Sequence, residues 1–121
     1  MNWLHWLIAL PDRLQKRPRA IATFDETGVT CRWPDGPVQS VTWDELEAVE
    51  IRTTDWGPFV EDVFLVLYAG DGGCVVPQEA EGFDPLLRRL QSLPGFDNAA
   101  VGSAMTCTYN AVFPCWRRID S

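Results

Sequence analysis

Apolar and polar positions alternate with a period of two along most of the chain, and a helical period takes over only towards its C-terminal end. Val49, Ile51 and Thr53 alternate with Glu50, Arg52 and Thr54, which predicts a strand with one face buried. Residues 63–69, VFLVLYA, are an almost unbroken apolar run, the pattern of a central strand covered on both faces. Asp71-Gly72-Gly73 then predicts a tight hairpin turn, because such turns need positive φ. Cys74, Val75 and Val76 form the return strand, ended by Pro77. Upstream, residues 20–24, 29–33 and 38–43 read as three further strands, separated by Asp25-Glu26-Thr27-Gly28 and Pro34-Asp35-Gly36-Pro37. Gly and Pro at these turns predict an antiparallel meander. Thr42 and Glu45 have capping-box spacing, which predicts one helical turn over residues 44–48.

After Gln78 the period changes. Asp84 reads as an N-cap and Pro85 as a first helical residue. Leu86, Leu87, Leu90 and Leu93 follow on one face, with Arg88 and Arg89 outward. Pro94-Gly95 ends this helix, and Asp97 caps a shorter one with Ala100, Val101, Ala104 and Met105 inward. Residues 106–118 alternate Cys107, Tyr109, Ala111, Phe113 and Cys115 with mostly polar neighbours. That is a final strand, which Pro114 places at an edge or near its own end. The fold class expected is α+β: a curved antiparallel sheet of about six or seven strands, closed on one side by the helix at 84–93. Residues 20–121 are expected to form one domain, preceded by a short N-terminal helical segment at 1–19.

A length of 121 residues, 46% of them hydrophobic and six of them Trp, supports a single packed core rather than disorder. Charge changes the picture more. The net charge is −7, unevenly spread. Residues 1–19 carry four cations against Asp12 (+3), residues 20–87 carry Arg32 and Arg52 against fourteen carboxylates (−12), and residues 88–121 carry four Arg against Asp97 and Asp120 (+2). So acidic a body repels phosphate backbones, which argues against nucleic acid as a partner and favours a basic protein.

Residues 1–19 combine Trp3, Leu4, Trp6, Leu7, Ile8 and Leu10 with Arg13, Lys16, Arg17 and Arg19. The run is too short to span a bilayer and lacks the basic start and cleavage site of a signal peptide. Two readings stand. Trp3 and Trp6 with Arg13, Lys16 and Arg17 suit a membrane interface. Alternatively, Trp3, Leu7, Leu10 and Leu14 form a helical stripe on the domain or on a second copy, so a homodimer is among the expected assemblies. Pro11 and Pro18 limit any helix here to short pieces.

Chemistry-bearing residues are few. Cys31, Cys74, Cys107 and Cys115 include no C-x-x-C pair, and His5 is the sole histidine, so no metal site is expected. Without a secretory signal, buried reduced thiols are expected rather than disulfides. His5 is the one base a cysteine nucleophile could use. Glu61 and Asp62 are adjacent and would point to opposite faces of a strand, although in a loop they could share a site with Asp55. Gly70-Asp71-Gly72-Gly73 sits in a hairpin rather than before a helix, so no phosphate loop is expected. Trp33, Trp43, Trp56, Phe59 and Phe96 fall at or near turns, and aromatics beside carboxylates suit an interface. The contact set expected is Asp55, Trp56, Phe59, Glu61 and Asp62.

The motifs G-V-T from Gly28, V-T-W-D-E-L from Val41, V-E-I-x-T-T-D-x-G-P-F from Val49, E-D-V-F from Glu61, G-G-C-V-V-P from Gly72, L-P-G-F-D-N from Leu93 and C-W-R-R from Cys115 resemble a family of small, functionally uncharacterised bacterial proteins. The resemblance covers residues 20–118 and implies no catalytic residues. The meander with a C-terminal helix is also similar to bacterial pleckstrin-homology-like domains, in which a W-D-x-L turn follows the third strand; the extra helix and last strand depart from that pattern. The expected function is a non-enzymatic protein-binding module, an immunity-type or adaptor protein offering an acidic face to a basic partner such as a bacterial toxin. No cofactor is expected, and the expected location is cytoplasmic or peripheral at the inner membrane. The alternatives are a membrane module anchored by residues 1–19, or a small enzyme with a carboxylate or Cys centre in a deep pocket holding Asp55, Glu61 or Cys74.

Overall fold

The structure is a computed structural model that describes residues 19–34, 36–55, 63–70 and 72–119. The N-terminal segment, with Trp3, Trp6, Arg13, Lys16 and Arg17, and loop residues Trp56, Phe59, Glu61 and Asp62 lie outside these. The described chain is α+β. It runs β1 (Ile21–Phe24), β2 (Gly28–Arg32), β3 (Val38–Thr42), β4 (Ala48–Thr53), β5 (Val63–Ala69), β6 (Gly72–Pro77), α1 (Phe83–Gln91), α2 (Asn98–Met105) and β7 (Ala111–Arg117).

The seven strands divide between two antiparallel sheets, β1-β2-β3 and β6-β5-β4-β7. The reason they do not form one continuous sheet lies at β6. Cys31 pairs with Ala22 on one side and Gln39 on the other, so these residues share the inner face of the meander, which packs against β6. There Gln39 Oε1 accepts from Val75 N at 2.9 Å, and Trp33 Nε1 donates to Val75 O at 3.0 Å. Two side chains thus take the outward backbone groups of β6 at Val75, where a further strand would otherwise pair. Alternation in β2 (Val29 and Cys31) and β4 (Val49, Ile51 and Thr53) points into the core between the sheets, and β5 is buried on both faces as its apolar run predicts.

Several local readings shift. The chain turns after β5 at Gly70, with φ 58, while Gly72 and Gly73 already belong to β6. Helix α1 begins one residue before Asp84, and its N-cap is Gly82 with no side-chain cap bond. Glycine is required there: φ is 91, and a Cβ would collide with the Ala22 carbonyl. The close approach arises because Glu81 bridges to Ile21, with Ala22 N donating to Glu81 O at 2.8 Å and Glu81 N to Ala20 O at 2.9 Å. Leu93 lies beyond α1, whereas Asp97 caps α2 as expected, accepting from Ala100 N at 3.2 Å. Met105 points outward rather than inward. Strand β7 starts only at Ala111, so Cys107 and Tyr109 precede it; as expected it lies at a sheet edge, beside β4.

Replacing Trp33 by Phe leaves the Val75 carbonyl unpaired in the core. The expected cost is about 1–3 kcal/mol, read as a lower urea midpoint at unchanged m-value. The buried thiols add a pH dependence. Burial pushes Cys31 and Cys74 up to about 12, from 9.0, with the neighbouring Cys31 adding to the shift at Cys74. Between these values the unfolded chain loses thiol protons that the folded chain keeps. Stability fully present below pH 9 is therefore lost as pH rises towards 12, by at most about 1.4 kcal/mol per pH unit per thiol. Urea midpoints should fall from pH 8 to pH 10.5, and fall less steeply in Cys31→Ala/Cys74→Ala.

Candidate interaction surface

The turn between the two sheets is tied down from four sides. Glu45 N donates to Thr42 Oγ1 at 3.1 Å and Thr42 N to Glu45 Oε1 at 3.5 Å, the reciprocal bonds of a capping box. Leu46 N donates to Thr42 O, so the helical turn occupies residues 42–46 rather than 44–48, and Ala48 is already strand. Leu46 is buried beneath it. Trp43 Nε1 donates to Asp25 O at 2.7 Å, Phe24 meets the indole edge-on, and the Arg89 guanidinium stacks 4.3 Å above it. Arg118 closes the other side. Its Nε donates to Leu46 O and its Nη2 to Trp43 O, each at 2.8 Å, while its backbone N donates to Glu47 O. Trp116 lies below that guanidinium and donates its own indole proton to Pro94 O.

This bracing leaves Asp44, Glu45 and Glu47 exposed on a rigid frame. None of the three is ion-paired to a described residue. They line a shallow depression of about 470 Å³ with Ser40, Arg118, Gly70, Gly72 and Gly73. Fixed carboxylates beside a polar hollow attract cationic side chains, and rigidity lowers the entropy cost of contact. Asp25 and Glu26 stand at the same end of the first sheet, in the β1–β2 turn.

The structure does not bring Asp55 to this cluster. Asp55 follows β4, whereas the acidic turn precedes it, and a strand of this length holds them about 17 Å apart or more. Asp55 is exposed, and its backbone N donates to Asn110 Oδ1 at 3.1 Å. Of the aromatics at turns, Trp33 and Phe96 are buried and Trp43 is half-buried.

On the outer face of β4 and β5, Arg52 Nε donates to Glu50 Oε2 at 2.7 Å, Arg52 Nη2 to Tyr68 Oη at 3.0 Å, and Tyr68 Oη to Glu50 Oε2 at 2.6 Å. Burial works against the Arg52 charge, but its two hydrogen bonds outweigh this and raise its pKa. Burial, then the Glu50 carboxylate, raises that of Tyr68. The network keeps Arg52 charged and Tyr68 protonated, which suits cross-strand bracing better than proton transfer. The spacing of Glu50 and Arg52, two apart on one strand face, was its signal in the sequence. The Arg118 clamp had none beyond the C-W-R-R motif.

Cys31, Cys74 and Cys115 are buried, with Cys115 pushed up to about 11 by burial first and Asp97 second. These thiols stay protonated at neutral pH and are weak nucleophiles. A Thr53 hydrogen bond lowers the Cys107 thiol. That hydroxyl has one proton, however, and its 2.6 Å bond to Tyr109 O takes most of it. No group of His, Cys, Asp or Glu among the described residues is placed to hold a metal ion, and no described helix is long and apolar enough to cross a membrane. Compared with known proteins, the chain matches no family model, no curated protein and no solved structure.

Arg118→Ala should loosen the acidic turn by freeing two carbonyls, at a cost of about 1–2 kcal/mol. Arg118→Lys should recover only part, since a point charge cannot span both carbonyls. Chemical denaturation of the two variants beside the parent chain checks this.

Proposed function

We propose that the chain is a non-enzymatic protein-binding module presenting an acidic face to a basic protein, as an immunity-type or adaptor protein would face a toxin. The observation that carries this reading is the braced turn with Asp44, Glu45 and Glu47 exposed and without ion partners among the described residues. The −12 charge of residues 20–87 extends the same field and would speed encounter with a cationic partner. The loop residues Asp55, Trp56, Phe59, Glu61 and Asp62 belong to the proposal as a second contact beyond the far end of β4. A cytoplasmic location and membership of the small bacterial family are parts of it too. So is the pleckstrin-homology-like likeness, which six antiparallel strands followed by a helix support and a second helix before β7 weakens.

Affinity purification of the tagged full-length chain from its native cells, at low and high salt, is the test. One dominant basic protein, released as salt rises, is expected. With that partner in hand, Asp44→Lys/Glu47→Lys should weaken binding at least roughly tenfold, as reversed charges repel where they attracted. Trp56→Ala and Glu61→Lys should weaken it if the second contact is real. A partner held equally by the Asp44→Lys/Glu47→Lys variant and at high salt overturns the acidic-face reading.

A further inference from the structure

The first sheet carries opposite charge at its two ends. The acidic turn and Asp25-Glu26 lie at one. At the other, the pairing sets Ile21, Arg32 and Val38 side by side across β1, β2 and β3. All three are exposed, Ile21 by 41% and Val38 by 56%. Together with Arg19 and Pro34 they rim a hollow of about 390 Å³ floored by Trp33. Neither the Arg19 nor the Arg32 guanidinium makes an ion pair or hydrogen bond to a described residue. Arg52, the other cation of residues 20–87, is held by Glu50 and Tyr68. The next cross-strand row, Thr23, Thr30 and Ser40, is hydroxyl-bearing, so the apolar and cationic character is confined to this corner.

We propose that this corner is a docking site for an anionic membrane surface. Free guanidiniums flanking exposed aliphatic side chains complement a lipid interface, where phosphate and carboxylate groups lie over acyl chains. The chain preceding Arg19 carries Arg13, Lys16 and Arg17, with Trp3 and Trp6 further back, and it joins the domain at this same corner. A single short anchor binds membranes weakly, and stable attachment takes two signals. Ile21, Arg32 and Val38 supply the second. The acidic end does not cancel the attraction: β3 alone separates the two by about 13 Å, beyond the Debye length of about 8 Å at physiological ionic strength. Glu81, bridged to Ile21 through the backbone, is the carboxylate that the pairing brings close, and it lowers the net charge of the corner without pairing to either Arg. The site is separate from the acidic turn, so it stands or falls independently of the protein-binding reading.

Flotation of the full-length chain with phosphatidylcholine vesicles, with and without about 30% phosphatidylserine, tests this. Binding is expected only with phosphatidylserine, and it should weaken as salt rises. Arg19→Gln/Arg32→Gln should lower the partition coefficient on the order of twenty-five-fold, roughly fivefold for each cation removed. Val38→Asp should lower it further with no change in thermal midpoint, because the position is on the surface. No flotation with anionic vesicles overturns the proposal. So does flotation that Arg19→Gln/Arg32→Gln and Val38→Asp leave unchanged, since the corner would then contribute nothing beyond residues 1–18. Equal flotation with neutral vesicles overturns it as well.

Discussion

Val75 lies on the outer strand of the second sheet, with its N–H and C=O turned away from β5. Water or another strand would ordinarily take them. Here a glutamine oxygen and an indole N–H from the first sheet take them instead, and the remaining architecture depends on that pair of bonds. They lay the inner face of the meander across the edge of β6, which buries Cys31 and Cys74. The same packing brings residue 81 beside β1 and forces a left-handed glycine before α1. Because a buried amide left unpaired costs more than a satisfied one contributes, the joint specifies one arrangement of the sheets as well as stabilising it.

The joint also explains which parts of the structure were legible from the residues. Period-two alternation and the spacing of Gly/Pro turns located the other strands, and the VFLVLYA run marked β5 as the covered centre. The division into two sheets was not legible. Nothing in the local pattern of Trp33 or Gln39 distinguishes a side chain that caps a strand from one that faces solvent. Alternation reports burial, and burial is the same for a continuous sheet and for a sheet laid across an edge. The misplaced α1 cap has a similar cause. Asp84-Pro85 satisfies the local rules for a helix start, but the contact between residues 81–82 and β1 decides where the helix begins, and that contact is remote in sequence.

The acidic turn was legible as a capping box, and its carboxylates as part of a negative body. Its rigidity was not, because the groups that brace it come from Asp25, Arg89 and Arg118, far apart along the chain. The expected contact set around Asp55 was drawn from aromatic and acidic residues adjacent in sequence. The braced surface is assembled by pairing between distant segments. Charge composition had the opposite fault: summing residues 20–87 to −12 hid Arg32, whose neighbours across the strands are aliphatic.

Strand order in the second sheet bears on how copies of this chain can assemble. A β-filament needs two receptive edges on every subunit, one to accept the previous copy and one to recruit the next. At Val75, β6 offers neither a free donor nor a free acceptor. The opposite margin, β7, contains Pro114, which has no N–H, and its register with β4 slips between Val49 and Glu50. Through this sheet, two chains could at most pair β7 with β7, and growth would end there. By this route, crowding should therefore produce closed pairs rather than fibres.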